Sequence, residues 1–84
     1  MKISFDKGAF QDFTDWAILN KENYKKIIIL IKEINRSPFE GIGKPEPLKH
    51  QLKGYWSRQI NDEHRLVYKV ENDEISIISC KGHY

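Results

Sequence analysis

Apolar residues recur at three- and four-residue spacing through the first half of the chain and at alternate positions through the second, dividing it into a helical part and a sheet part. Met1-Lys2-Ile3-Ser4-Phe5-Asp6 reads as a first strand. Asp6 then precedes Lys7-Gly8-Ala9-Phe10 and can cap a helix whose buried face is Phe10, Phe13 and Ala17, extended by Trp16. The period restarts near Asn20-Lys21-Glu22-Asn23. Tyr24, Ile27, Ile28, Ile31 and Ile34 form one stripe, with Lys25, Lys26, Lys32 and Glu33 on the opposite face. The length of that stripe favours a second helix over a buried strand at Ile27 to Ile31, and Ser37-Pro38 ends it.

Phe39 to Pro47 holds Gly41, Gly43, Pro45 and Pro47, an irregular connection longer than a small domain usually needs. Beyond it, Tyr55 to Ile60, His64 to Val70 and Glu74 to Lys81 alternate as consecutive antiparallel strands, with turns at Asn61-Asp62-Glu63 and Asn72-Asp73. The layout is strand, helix, helix, long loop, then a three-stranded meander: an α+β domain spanning residues 1–84, with two N-terminal helices packed on an antiparallel sheet.

Strand alternation assigns the faces. Leu66, Tyr68 and Val70 point to the helices, and Arg65, Val67 and Lys69 point away. For Trp56 and Ile60 to join the core, Ile60 is expected opposite Leu66, across an odd-length turn with a bulge after Asn61. Ser57 and Gln59 then face outward with Arg65. A two-residue turn at Asn72-Asp73 pairs Val70 with Ile75 and Tyr68 with Ile77, which brings Arg65 near Cys80 and leaves Val67, Ile78 and Cys80 on the outward face. The tail Lys81-Gly82-His83-Tyr84 should emerge beside Arg65.

Composition narrows the options. Eighty-four residues allow one modest core and no separate cofactor domain. No apolar run is long enough to cross a bilayer, and the first residues lack the apolar core of a signal peptide, so a cytoplasmic location is expected. One cysteine, Cys80, and three scattered histidines give neither an internal disulfide nor a metal spacing, and no cofactor is implied. The net charge is only +2, but the excess falls on Lys44, Lys49, Lys53, Arg58, Arg65 and Lys69, interleaved with Tyr55, Trp56 and Tyr68. Such mixing on strands suits single-stranded RNA, phosphate to cation and base to ring; it equally suits a twisted sheet with aromatic core residues and a solvated basic face.

The chemistry centres on Gly43-Lys44-Pro45-Glu46-Pro47-Leu48-Lys49. Two prolines hold Glu46 in stiff, extended backbone, and Lys44 and Lys49 would attract an anion, Lys44 as a further RNA contact. Arg65 supplies a permanent cation, His83 a proton donor or acceptor near neutral pH, and the loop carrying Glu46 is the long mobile segment able to cover them. A carboxylate base, a histidine acid and an arginine for phosphoryl charge suffice to cleave RNA without a metal. Each has an ordinary alternative: a soluble linker for the loop, a salt bridge with Glu63 for Arg65, a frayed end for His83 and Tyr84. His50 and His64 could also be paired for acid–base work, but they sit at a loop exit and a turn, where exposed histidine is common.

Gly41-x-Gly-Lys-Pro-Glu-Pro-Leu-Lys49, Gly54-x-Trp-Ser-Arg58, Glu63-His-Arg-Leu-Val-Tyr68 and the closing His83-Tyr84 together resemble the YoeB-type toxins of the RelE/ParE superfamily. The resemblance implies a β-α-α-β-β-β microbial-RNase-like fold and a ribosome-dependent endoribonuclease that cuts messenger RNA in the ribosomal A site. It also implies a YefM-type antitoxin as partner and a homodimer. Glu46 would be the general base that takes the 2′-hydroxyl proton, Arg65 the stabiliser of the phosphorane charge and His83 the acid for the leaving 5′-oxygen. Lys49 would support Arg65, Tyr84 would position the RNA and His83, and Arg58 and Gln59 would stand with Lys44 and Lys49 along the RNA. Gln59 takes a place where that family commonly has a second arginine, and Lys81-Gly82 one where it has a bulkier basic-aromatic pair. The contrasting expectation is a non-catalytic ParE-like toxin that binds a protein such as DNA gyrase.

Overall fold

A computed structural model describes residues 1–82 of the chain. Its elements are Lys2–Phe5 (β1), Lys7–Leu19 (α1), Lys21–Arg36 (α2), Glu46–Pro47 (β2), Trp56–Gln59 (β3), Arg65–Glu71 (β4) and Glu74–Ser79 (β5), with a 3-10 turn at His50–Leu52. The strands form one sheet in the order β1-β5-β4-β3-β2. Two helices on one sheet give the expected α+β architecture, and the long strands follow the expected order. The sheet is mixed rather than antiparallel throughout, because β1 lies parallel to β5, Ile3 beside Ile75 and Phe5 beside Ile77. The two-residue β2, inside the predicted loop, is an edge strand on β3.

The helices follow from local chemistry. Asn20 ends α1 and opens α2: its backbone N–H donates to Trp16 O, and its side chain accepts from the backbone of Glu22 and Asn23. Asp6 occupies the N-cap position of α1, but its side chain makes no capping bond. The inward stripe of α1 is Ala9 and Trp16 with Phe13 half-buried, and Phe10 is largely exposed, so the face is rotated from the predicted one. In α2, Ile27, Leu30, Ile31 and Ile34 are buried. They close over Leu66, Tyr68, Ile75 and Ile77 to form one core. Among the described residues no helix is long and apolar enough to cross a membrane.

Two register details matter for the site. In the β3–β4 turn Ile60 N–H donates to His64 O, and Gln59 pairs with Arg65, so Ile60 faces His64 and not Leu66. Trp56, Arg58 and Ile60 nonetheless share the core face, with Ser57 and Gln59 outward, as alternation requires. At the other hairpin Val70 pairs with Ile75 and Tyr68 with Ile77 as expected, but the register then shifts and Val67 faces Ser79. The bulge at Ile78 reverses the alternation beyond it. Cys80 therefore turns inward and is fully buried, against its predicted outward placement.

Candidate active site

Glu46, Ser57, Val67 and Ser79 fall in one row across the outward face of the sheet, because β2, β3, β4 and β5 pair in that register. Arg65 lies one step along β4 and reaches back toward that row. Its Nη1 donates to Ser57 Oγ at 3.3 Å and stands 3.9 Å from Glu46 Oε2. The guanidinium side chain is only 12% exposed, whereas that of Glu46 is 63% exposed, so a sheltered cation sits behind an accessible carboxylate. Arg65 Nε is buried and finds no hydrogen-bond partner among the described residues. Held by one hydroxyl among the described residues, the guanidinium has capacity at its terminal nitrogens for a further acceptor, and an anionic oxygen is the partner its fork geometry suits best.

Glu46 is held by its neighbours and by strand pairing. Its neighbours Pro45 and Pro47 restrict the backbone, its strand pairs with β3, and the N–H of Leu48 donates to Tyr55 O at 2.9 Å. The preceding loop is anchored by Arg58, whose Nη2 donates to Ser37 O at 2.7 Å and Glu40 O at 2.8 Å, Nη1 to Ile42 O at 3.1 Å and Nε to Tyr68 Oη at 3.1 Å. Tyr68 in turn donates to Pro38 O at 2.8 Å. Burial pushes the Tyr68 phenol above its ordinary range, an effect that its bond from Arg58 opposes. Gly43 completes the fit: its carbonyl accepts from Gln59 N–H at 2.6 Å, and a Cβ there would lie 2.9 Å from Leu30 Cδ2. Its φ of +82° adds a second reason for glycine.

The expectation that Arg58 contacts RNA is thereby corrected. Arg58 is fully buried on the helix side of the sheet, with backbone carbonyls and Tyr68 as its partners, and has no path to a polynucleotide on the opposite face. Gln59 is half-buried and pairs with Arg65 across β3–β4, on the outward side. Lys44 and Lys49 are exposed on either side of Glu46, Lys44 in left-handed backbone with φ of 51°. Lys69 lies over the Tyr55 ring at 5.3 Å, a cation-and-ring pair on the side of Val67 away from Arg65. His83 and Tyr84, expected as the acid and a positioning group, lie outside the described residues.

The chain segment leading to them is fixed at three points. Trp16 Nε1–H donates to Cys80 O at 2.9 Å, Arg65 N–H donates to Gly82 O at 2.9 Å, and Gly82 N–H donates to His64 Nδ1 at 3.0 Å. Arg65 at the start of β4 and the Cys80–Gly82 segment beyond β5 thus meet at one end of these strands, although the bulge shifts Arg65 from Cys80 to Gly82. His64 is the residue that reading the turn as ordinary exposed surface overlooked. Its spacing from Trp16 gave no signal, since the two meet only in three dimensions, rings 4.9 Å apart in an edge contact. Among the described residues no group of three or more His, Cys, Asp or Glu could hold a metal ion.

Residues 5–84 match the model of a family described as the YoeB-like toxin of bacterial type II toxin-antitoxin systems. The chain is 50% identical over 84 residues to the toxin YoeB of Escherichia coli strain K12, covering all of both chains. The solved YoeB/ParE toxin from Agrobacterium tumefaciens is 41% identical, covers all of both chains and superposes with a TM-score of 0.97. YoeB from Staphylococcus aureus, solved as a dimer and in a YoeB-YefM complex, superposes with TM-scores of 0.94 and 0.92 at 50% and 52% identity, covering all of this chain and 98% of each of those. Family match, full-length identity and shared fold agree, and the chain belongs to the YoeB-like toxins of bacterial type II toxin-antitoxin systems.

Proposed function

We propose that this toxin is a ribosome-dependent endoribonuclease that cleaves messenger RNA in the A site and so stops translation. The observation that carries the reading is the accessible Glu46 carboxylate 3.9 Å from a sheltered Arg65 guanidinium, both on the outward face of the sheet. Glu46 takes the proton of a ribose 2′-hydroxyl, and the 2′-oxygen forms a bond to the adjacent phosphorus. Arg65, supported by Lys49, stabilises the negative charge that builds on the phosphoryl oxygens. The bond from phosphorus to the 5′-oxygen then breaks, and His83 gives that oxygen its proton, leaving a 2′,3′-cyclic phosphate and a 5′-hydroxyl. These groups balance the reaction without a metal or cofactor. Lys44, Gln59 and Tyr84 orient the RNA. In this reading a YefM-type antitoxin holds the toxin inactive, the toxin pairs with a second copy of itself and it acts in the cytoplasm; the YoeB-YefM complex and the YoeB dimer of Staphylococcus aureus support those partners.

The experiment is to add the purified toxin to ribosomes carrying a defined message and map the new ends. Cleavage in the A site with a cyclic phosphate is expected. Glu46→Gln and His83→Ala should each slow it by about two to four orders of magnitude, the range for a removed acid or base, while the fold persists. Undiminished cleavage by both variants would refute the roles, and an intact message beside retained toxicity would point to a binding toxin instead.

A further inference from the structure

The nuclease reading assigns proton donation to His83, the residue that follows Gly82 directly in the chain, and leaves His64 with no task. Both peptide groups of Gly82 are nevertheless tied to consecutive residues of the β3–β4 turn and β4: its N–H donates to His64 Nδ1 at 3.0 Å, and its carbonyl accepts from Arg65 N–H at 2.9 Å. Resting on that reading, we propose that His64 is a positioning residue for the reaction, its neutral imidazole holding the Gly82 amide and so setting the direction in which the chain continues to His83 and Tyr84.

Three observations make the side chain suited to that task. The ring has a support independent of Gly82, since it packs edge-on against Trp16 at 4.9 Å. Its backbone is fixed as well: the N–H of His64 and that of Glu63 both donate to Asn61 Oδ1 at 2.8 Å, and Asn61 Nδ2 donates to the buried Asn23 at 3.1 Å. Gly82 itself has a φ of +92° and carries no side chain, so its orientation comes from its partners: Ser79 Oγ donates to Lys81 O at 2.9 Å on one side of the peptide group, and His64 Nδ1 accepts the N–H on the other. An acceptor at Nδ1 requires the proton of the neutral ring on Nε2, so the bond to Gly82 fixes the tautomer. Arg65 is next in sequence, so one short stretch supplies both the phosphate-side cation and the tether of the acid-bearing segment. Misplacement of a reacting group by about 1 Å can cost about a hundredfold in rate, which is the scale on which such a tether acts.

The test compares His64→Phe, His64→Asn and His64→Gln with the parent in the ribosome-bound cleavage assay, together with thermal unfolding and hydrogen exchange of the Gly82 amide followed by NMR. Phenylalanine keeps a ring against Trp16 without an acceptor; asparagine places its carbonyl close to where Nδ1 stood; glutamine reaches the Nε2 position instead. His64→Phe should lower kcat by about 10- to 100-fold with KM within a few-fold, and its Gly82 amide should exchange faster. His64→Asn should recover much of both kcat and protection, and His64→Gln should not. Where the phenylalanine variant does not fold, the contrast between asparagine and glutamine decides alone. Parent-like kcat in His64→Phe, an unchanged Gly82 amide, or an asparagine variant no better than glutamine would overturn the proposal. A parent that leaves the message intact would instead remove the nuclease reading on which it rests.

Discussion

Arg58 and Arg65 sit on neighbouring strands of the same sheet and have opposite fates. Arg58 points to the helices, is fully buried and donates four hydrogen bonds, three of them to carbonyls of the loop from Ser37 to Ile42. Arg65 points away, donates to Ser57, faces Glu46 at 3.9 Å and keeps its Nε–H without a partner among the described residues. The first has converted its charge and donors into structure, closing the loop that delivers Glu46. The second keeps its cation beside an accessible carboxylate, sheltered enough to act strongly on an anion that reaches its edge. A guanidinium becomes a site for a ligand only where the protein leaves its donors unanswered.

Substitutions should separate these roles. Arg58→Ala strips partners from buried carbonyls and from the Tyr68 hydroxyl, and a loss of about 3–5 kcal/mol in urea unfolding is expected, comparable to breaking a buried charged network. Arg58→Lys should restore only part, because one ammonium cannot span carbonyls of three residues and a phenol. Arg65→Lys should unfold within about 1 kcal/mol of the parent yet cleave ribosome-bound message about a hundredfold more slowly, the scale for one removed transition-state donor. Similar stability losses in the two lysine variants would break the comparison. Gly43→Ala should cost about 1–3 kcal/mol through its positive φ and its clash with Leu30, and it should lower activity only as far as it unfolds the loop.

The smallest effect concerns pH and the inward residues alone. Burial, with the carboxylate of Asp12 as the lesser cause, pushes the Cys80 thiol from 9.0 up to about 12, and burial also raises Tyr68 from 10.0. A group whose folded pKa is raised contributes stability that is complete below its unfolded pKa and lost as pH rises toward the folded one. Stability should therefore hold to about pH 8 on this account and decline from about pH 9 upward, the unfolded chain ionising first. Cys80→Ala should flatten part of that decline, measured as unfolding free energy against pH, whatever it does to stability at pH 7.

Much of this was legible in sequence. The change of period at the long loop gave helices and strands in their right order, and the turn at Asn72-Asp73 fixed the pairing of Tyr68 with Ile77. The motif around Glu46 and the outward placement of Arg65 followed from stiffness and alternation. Arg58 was misjudged although the signal was present: a strand that turns Trp56 and Ile60 inward must turn residue 58 inward too, and only its charge argued otherwise. Other features had no local mark. Ile78-Ser79-Cys80 suits a regular strand as well as a bulged one, and the choice rests on Cys80 joining the core beneath Trp16. The parallel seat of β1 beside β5 is likewise a long-range pairing that the period of neither segment encodes.

The two prolines around Glu46 bear on association as well as on stiffness. Leu48 directs its N–H to β3, so by alternation residues 45 and 47 present their backbone nitrogens to the free side of β2, and proline has no hydrogen there to give. The border of the sheet beside Glu46 cannot offer a donor ladder to a strand from another molecule. A toxin that, on the nuclease reading, exposes one flank of its sheet to a long, flexible polymer is in this way kept from being sealed along that flank by intermolecular sheet extension.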